Sequence, residues 1–152
     1  MRETLENKLI VFVINDKEYA MSVEQVGGIE RVLSITRVPS APKSVKGVIN
    51  LRGVITPVID LKEKLYRQPT EFTEQTRILI VYLESITIGL IVDGASDVVD
   101  VDTNQVKTPP ETVGTDLIDY IQGVIKLPNR LLTLLNINRL LYDVEKHNKL
   151  ED

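Results

Sequence analysis

Arg52 stands between two apolar runs in "GVINLRGVITPVIDL", Gly47 to Leu61, a stretch that reads as strand, turn, strand. The turn needs Gly53 for its backbone, but it asks nothing of an arginine. A guanidinium that folding does not require is available to meet a carboxylate with its planar fork, which is the chemistry of recognition. The other polar residues do not assemble into a catalytic set. The one histidine, His147, lies in the polar stretch "VEKHNKLED", and no triad can be built around it. Asp93, Asp97, Asp100 and Asp102 in "DGASDVVDVD" are dense enough to suggest calcium. The D-x-[DN]-x-[DN]-G spacing and the closing glutamate are absent, so they read as solvated loop and capping residues. Glu71 and Glu74 sit in the polar linker "RQPTEFTEQT", where nothing desolvates them. The glycines form no G-x-G-x-x-G or G-x-x-x-x-G-K-[ST] phosphate loop. With no cysteine, disulfides, thiolate catalysis and zinc-thiolate sites are excluded. The expectation is a protein with no catalytic residue, no metal and no cofactor.

Composition narrows the partners. The 152 residues are 43% hydrophobic and 26% charged, as in globular domains, and carry a net charge of -4. An aromatic content of 5% without tryptophan argues against base-stacking platforms, and the acidic balance against nucleic acid. The apolar run Leu9 to Ile14 is far short of the roughly 20 residues of a membrane-spanning helix. These features predict a soluble cytoplasmic protein with no direct membrane insertion.

The elements that must position Arg52 emerge from an internal repeat. "VKGVINLRGVITPVIDLKEKL" (Val45 to Leu65) aligns without a gap on "IQGVIKLPNRLLTLLNINRLL" (Ile121 to Leu141), Gly47 on Gly123 and Asp60 on Asn136. "VFVINDKEYAMSVEQV" (Val11 to Val26) likewise aligns on "IVYLESITIGLIVDGA" (Ile80 to Ala95), Ala20 on Gly89. Two copies of one unit of about 70 residues follow each other, approximately 8–66 and 77–143, within a single domain spanning 1–152, and sharing of strands between the units is left open.

Each copy opens with a β-hairpin and closes with another. The closing turns differ, Arg52-Gly53 in one and Pro128-Asn129 in the other, and the second folds with no cation. Asp60 with Glu63 predicts a capped short helix, and Asn136 can cap a longer C-terminal helix. Ser22 with Gln25 predicts a helical turn over Val23 to Ile29, limited by Gly27-Gly28. "VITPVI" and "LLTLL" are apolar at nearly every position, so both faces require cover, and Pro57 implies an edge or a bulge. Curling each strand set buries one face inside a barrel and packs the other on its neighbour. The predicted architecture is mainly β: two tandem barrels, short helices and a C-terminal helix.

"VKGVINLRGVITPVIDL" resembles the characteristic hairpin of the bacterial chemotaxis coupling proteins, the CheW-like family, whose pattern is approximately G-V-x-N-L-R-G-x-x-x-P-V-x-D-L. "LIVFVINDKEYAMSVEQV", "IGLIVDGASDVVDV" and "YIQGVIKLPNRLLTLLNINRLL" are similar to its opening hairpin, central segment and closing hairpin with helix, in that order. The resemblance runs from about Lys8 to Asp143. It implies two five-stranded SH3-like barrels and a non-catalytic scaffold that joins the cytoplasmic tips of methyl-accepting chemoreceptors to the histidine kinase CheA. The implied partners are those tips and the kinase's regulatory CheW-like domain, with ring assembly alongside the kinase or other coupling proteins. The adaptor would be cytoplasmic, recruited to membrane-associated receptor arrays.

Carried over by position, Gly47, Asn50, Arg52 and Gly53 match the receptor and kinase contact region. Gly89, Ala95 and Val98 match the second barrel's segment beside the receptor groove, and Val23, Val26 and Ile29 match the kinase-facing apolar positions. Where the family often has V-x-E-I, this chain has "VGGIER", with Gly28 in the place of the glutamate and Glu30 late. Val23, Val26 and Ile29 at a spacing of three equally describe the core face of a short helix. Gly47, Gly53 and Gly89 equally serve turns, bulges or close packing. The alternatives are the same coupling role in a non-flagellar chemosensory pathway, or a barrel module that binds a small molecule between its units.

Overall fold

The computed structural model describes residues 6–83, 85–109 and 119–141. His147 and the residues beyond 141 over which a longer C-terminal helix is expected from sequence lie outside them. The opening hairpins form as expected from their β-branched runs: β1 (Glu6–Ile14) with β2 (Lys17–Ser22), and β6 (Arg77–Leu83) with β7 (Ile86–Val92). The first turns through Asn15 and Asp16, both at positive φ, which these two residue types tolerate. The closing hairpins are β4 (Val45–Leu51) with β5 (Val54–Asp60), and β10 (Ile121–Leu127) with β11 (Arg130–Leu135).

The repeat becomes a repeat of topology. One sheet runs β8-β1-β2-β11-β10-β9, where β8 is Gly94–Asp102 and β9 is Val106–Lys107. The other runs β3-β6-β7-β5-β4, where β3 is Val26–Arg31. Each sheet therefore takes its opening hairpin from one half of the chain and its closing hairpin from the other. The joins are parallel and in matching register: Ala20 lies opposite Leu134 in one sheet and Gly89 opposite Val58 in the other. The place of β9 is taken in the second sheet by Thr36, which exchanges two backbone hydrogen bonds with Val48, at 2.9 and 2.8 Å.

Burial follows from this curling. Leu9, Val11, Val101, Ile125 and Leu132 fill one sheet, and Ile49, Val58, Ile78, Ile80 and Ile91 fill the other. A third and larger core, including Phe12, Met21, Leu61, Leu79 and Leu90, lies between them. Strands β1 and β6 send alternate residues to the two sides, which explains why their sequences are apolar throughout.

Both helix caps form. Asp60, wholly buried, accepts hydrogen bonds from the backbone N–H of Lys62 and Glu63 at the start of α1 (Leu61–Tyr66), and from the N–H and hydroxyl of Thr70. Asn136 caps the helix at residues 137–141 through the N–H of Arg139. Tyr66, at the end of α1, meets the hydroxyl of Tyr19 on β2, and burial with that contact pushes the Tyr19 phenol well above its ordinary pKa. Pro57 falls where β5 pairs only with β4, because pairing with β7 begins at Val58. Its missing N–H is thus not required by a second neighbour.

Two expectations are corrected. The helical turn after Ser22 is a single 3-10 turn, Val23–Gln25, and Gly27-Gly28 lie inside β3 rather than ending a helix. The segment gains more by pairing with the free edge of β6, where Gly27 leaves room for the ring of Tyr82. The apolar strand β5 is not covered on both faces either, since Val54 and Ile55 project beyond the part that meets β7 and remain exposed.

Candidate interaction surface

The tetrapeptide Asn50 to Gly53 is a self-closing turn. Gly53 N–H donates to Asn50 Oδ1 at 2.7 Å, and the two residues between the paired strand ends Leu51 and Val54 have positive φ, +52° at Arg52 and +87° at Gly53. Positive φ at both positions is the type I′ pattern, whose twist suits a hairpin. The turn holds Arg52 out into solvent, 76% exposed, with Nη2 3.2 Å from Glu30 Oε2 on β3. The late glutamate of "VGGIER" therefore has a defined partner. An ion pair this exposed stabilises the fold by at most ~1 kcal/mol.

The other expected residues divide by position. Gly47 and Gly89 are buried and make space: a Cβ on Gly47 would lie 2.1 Å from the carbonyl oxygen of Thr36, and one on Gly89 would lie 2.8 Å from both Ile78 and Val58. Gly53 has open space around it, so its role in the turn is conformational. Val23, Val26 and Ala95 are half-buried against the central core. Ile29 and Val98 are exposed, at 46% and 54%. The turn residues Asn50, Arg52 and Gly53 come together with Glu30 on one barrel, whereas Ala95 and Val98 lie on the other sheet.

Register shows that four of the exposed apolar residues are paired by the repeat. Ile29 lies opposite Leu79 on β6, and Val98 opposite Ile10 on β1, the corresponding place in the other sheet. Ile55 opposite Asn50 likewise matches Leu131 opposite Lys126, and these two are 65% and 55% exposed. Each barrel thus presents an equivalent pair, one residue on β3 or β8 and one on the closing hairpin, and Val54, 61% exposed, adds a further apolar residue on β5 where the other hairpin has Arg130. The sequence alone leads one to expect Val54, Ile55 and Leu131 to be covered, because alternation cannot reveal where a neighbouring strand stops.

A second arginine, unanticipated in the sequence, organises the other barrel. Arg130, just after the Pro128-Asn129 turn, donates through Nε and Nη2 to Glu18 on β2 at 3.0 and 2.9 Å. It also donates through Nη1 and Nη2 to Asp97 on β8, both at 3.0 Å. This clamp ties β11, β2 and β8 beside Val98 and Leu131. Hydrogen bonds from Arg130, then from the Ser96 hydroxyl, hold the Asp97 carboxyl below its usual range. Two other aspartates of the cluster are also engaged: Asp93 with Lys62 Nζ at 3.5 Å and the Asn15 N–H, and Asp100 with Lys8 Nζ at 2.9 Å.

The clamp has a pH signature. A depressed folded-state pKa contributes stability above the unfolded value near ~3.9, and this is lost as pH falls through the folded value. Asp97→Asn is expected to melt slightly below the parent at neutral pH, by ~1 kcal/mol or less because the group is half exposed. That gap closes on acidification below about pH 4. Thermal melts across this range check it.

Burial also separates the three apolar candidates. Ile29→Asp should leave melting within ~0.5 kcal/mol of the parent, because its side chain is already wet. Val26→Asp places a carboxylate against the central core and should cost ~2 kcal/mol or more. Circular-dichroism melts of the two purified variants distinguish these outcomes.

Comparison with known proteins agrees with this architecture. The CheW-like domain matches residues 8–145. The chain is 46% identical over 134 residues to the chemotaxis protein CheW of Bacillus subtilis, covering 88% of this chain and 86% of that one. It is 34% identical to the chemotaxis protein CheW of Klebsiella aerogenes, covering 94% and 86%. The crystal structure of the scaffolding protein TtCheW from Thermoanaerobacter tengcongensis superimposes with a TM-score of 0.80 at 29% identity, over 91% of this chain and 90% of that one. No helix among the described residues is long and apolar enough to cross a membrane. The chain belongs to the CheW-like family of chemotaxis coupling adaptors.

Proposed function

We propose that the chain works without catalysis, joining the cytoplasmic tips of chemoreceptors to the regulatory domain of the histidine kinase CheA and being drawn to membrane-associated arrays through them. The observation that carries this reading is the pair of equivalent exposed apolar positions, Ile29 with Ile55 and Val98 with Leu131, one pair on each barrel. Exposed apolar residues on two barrels, one barrel with Arg52 paired to Glu30 and the other with Arg130 paired to Glu18 and Asp97, suit a protein that must hold two partners in fixed relation. In this reading Val26 shapes the kinase-facing surface from beneath while Ile29 touches the partner. Gly47 and Gly89 act by permitting the packing behind that surface. Asn50 and Gly53 set the turn, and Arg52 supplies the contact.

The test is co-sedimentation of the protein with receptor signalling fragments and the kinase, with phosphorylation assayed in the pellet. Receptor control of the kinase is expected only when all three are present. Equal control with and without this chain would end the adaptor reading.

A further inference from the structure

A cavity of about 500 Å³ opens between residues 37–46, which form the loop before β4 and its first two residues, and helix α1. Its ionisable lining is Arg37, Lys43 and Lys46 against one carboxylate, Glu63, in a chain whose net charge is -4. Arg37 and Lys43 make no ion pair with another described residue. Lys46 Nζ is 3.9 Å from Asp60 Oδ2, the outer limit of an ion pair, and the Asp60 carboxylate already accepts hydrogen bonds from Lys62, Glu63 and Thr70. Three cations that folding leaves largely uncompensated favour an anion between them.

The walls are pre-formed. Pro39 and Pro42 line the cavity and fix their own φ, Pro42 O accepts from the Val45 N–H at 2.9 Å, and Ser40 sits in the left-handed region at φ +67°. Little ordering therefore opposes binding. The space exceeds a lone small anion, and Val38 and Val45 give the lining apolar surface beside its charges. That combination fits side chains carried on a chain: a carboxylate for the arginine fork and an aliphatic neighbour for the valines.

We propose that this cavity is a docking site for a short acidic segment of a partner protein, an inference that rests on the adaptor reading for the existence of such a partner but not for the chemistry of the site. The probe is a capped peptide of alternating glutamate and leucine, titrated at low salt into the full-length ¹⁵N-labelled protein. Amide shifts are expected at residues 37–46 and in α1. They should be absent with the glutamine–leucine peptide, and binding should weaken at least tenfold in the Arg37→Glu, Lys43→Glu double variant. The milder Arg37→Gln, Lys43→Gln pair should weaken it severalfold and serves if charge reversal disturbs the fold.

The proposal is overturned if the acidic peptide produces no shifts there, if both variants bind it as the parent does, or if inorganic phosphate alone gives the same shifts with the same affinity. The two readings fail separately. A parent that does not co-sediment with receptor fragments and kinase ends the adaptor reading, while the peptide titration still decides the cavity. A parent and reversal variant that co-sediment equally end the partner-docking role while leaving the adaptor intact.

Discussion

Gly47→Ala is expected to lower the melting temperature by about 10 °C or more, through loss of the closure between β4 and the chain after β3 rather than through loss of a partner contact. The added Cβ would stand 2.1 Å from the carbonyl oxygen of Thr36 and 2.8 Å from its carbon, both backbone atoms that no rotamer change can move aside. The φ of +152° adds strain for any residue with a side chain. Relief requires withdrawal of Thr36, which breaks its two hydrogen bonds to Val48 and opens the barrel edge over Ile49 and Ile35. Together these place the cost at ~4 kcal/mol or more, the range reserved for backbone collisions and core disruption. Gly53→Ala is the control: no atom lies within 4 Å of the new Cβ, so only the strain of φ +87° remains, ~1 kcal/mol. Thermal unfolding of the two variants side by side tests this. A Gly47→Ala protein that melts with the parent would return Gly47 to the interface.

The contrast between these glycines shows what was readable in advance. Local grammar was legible: Asp60 and Asn136 announce helix starts, Arg52-Gly53 and Pro128-Asn129 announce turns, and each is a matter of backbone chemistry within a few residues. The repeat was legible because Gly47 and Gly123 do the same work, each beneath a passing backbone, Thr36 in one sheet and Lys107 in the other. The exchange of hairpins was not, because the parallel contacts Ala20–Leu134 and Gly89–Val58 join residues more than thirty apart and leave no mark on local periodicity. The Arg130 clamp was hidden for the same reason. Glu18 becomes its neighbour only when β2 lies beside β11. The apolar spacing of Val23, Val26 and Ile29 fitted a helix, but a free β6 edge offered five residues of pairing that a helix before two glycines could not match.

Arg52→Asn is expected to melt at or slightly above the parent while receptor control of the kinase falls at least tenfold below saturation. An arginine at φ +52° carries the penalty of the left-handed region, ~1 kcal/mol, that asparagine largely avoids, and Asn-Gly is a favoured type I′ pair. The ion pair with Glu30 can offset that penalty only in part, because the guanidinium is 76% exposed and such pairs contribute ~0–1 kcal/mol. Folding therefore gives no net reason for arginine at this turn. Its remaining asset is placement: the hairpin fixes the base, Asn50 closes the turn, and Glu30 holds the fork at 3.2 Å, so a partner carboxylate meets a cation already oriented. Arg52→Lys keeps the charge but loses the fork and should recover only part of the control. Glu30→Gln should weaken it less than loss of Arg52, and the double variant should be no worse than Arg52→Asn alone, since the glutamate acts through the arginine. Parent, asparagine and lysine proteins that couple equally, each folded and assayed below saturation, would reduce Arg52 to a solvated and slightly strained turn residue.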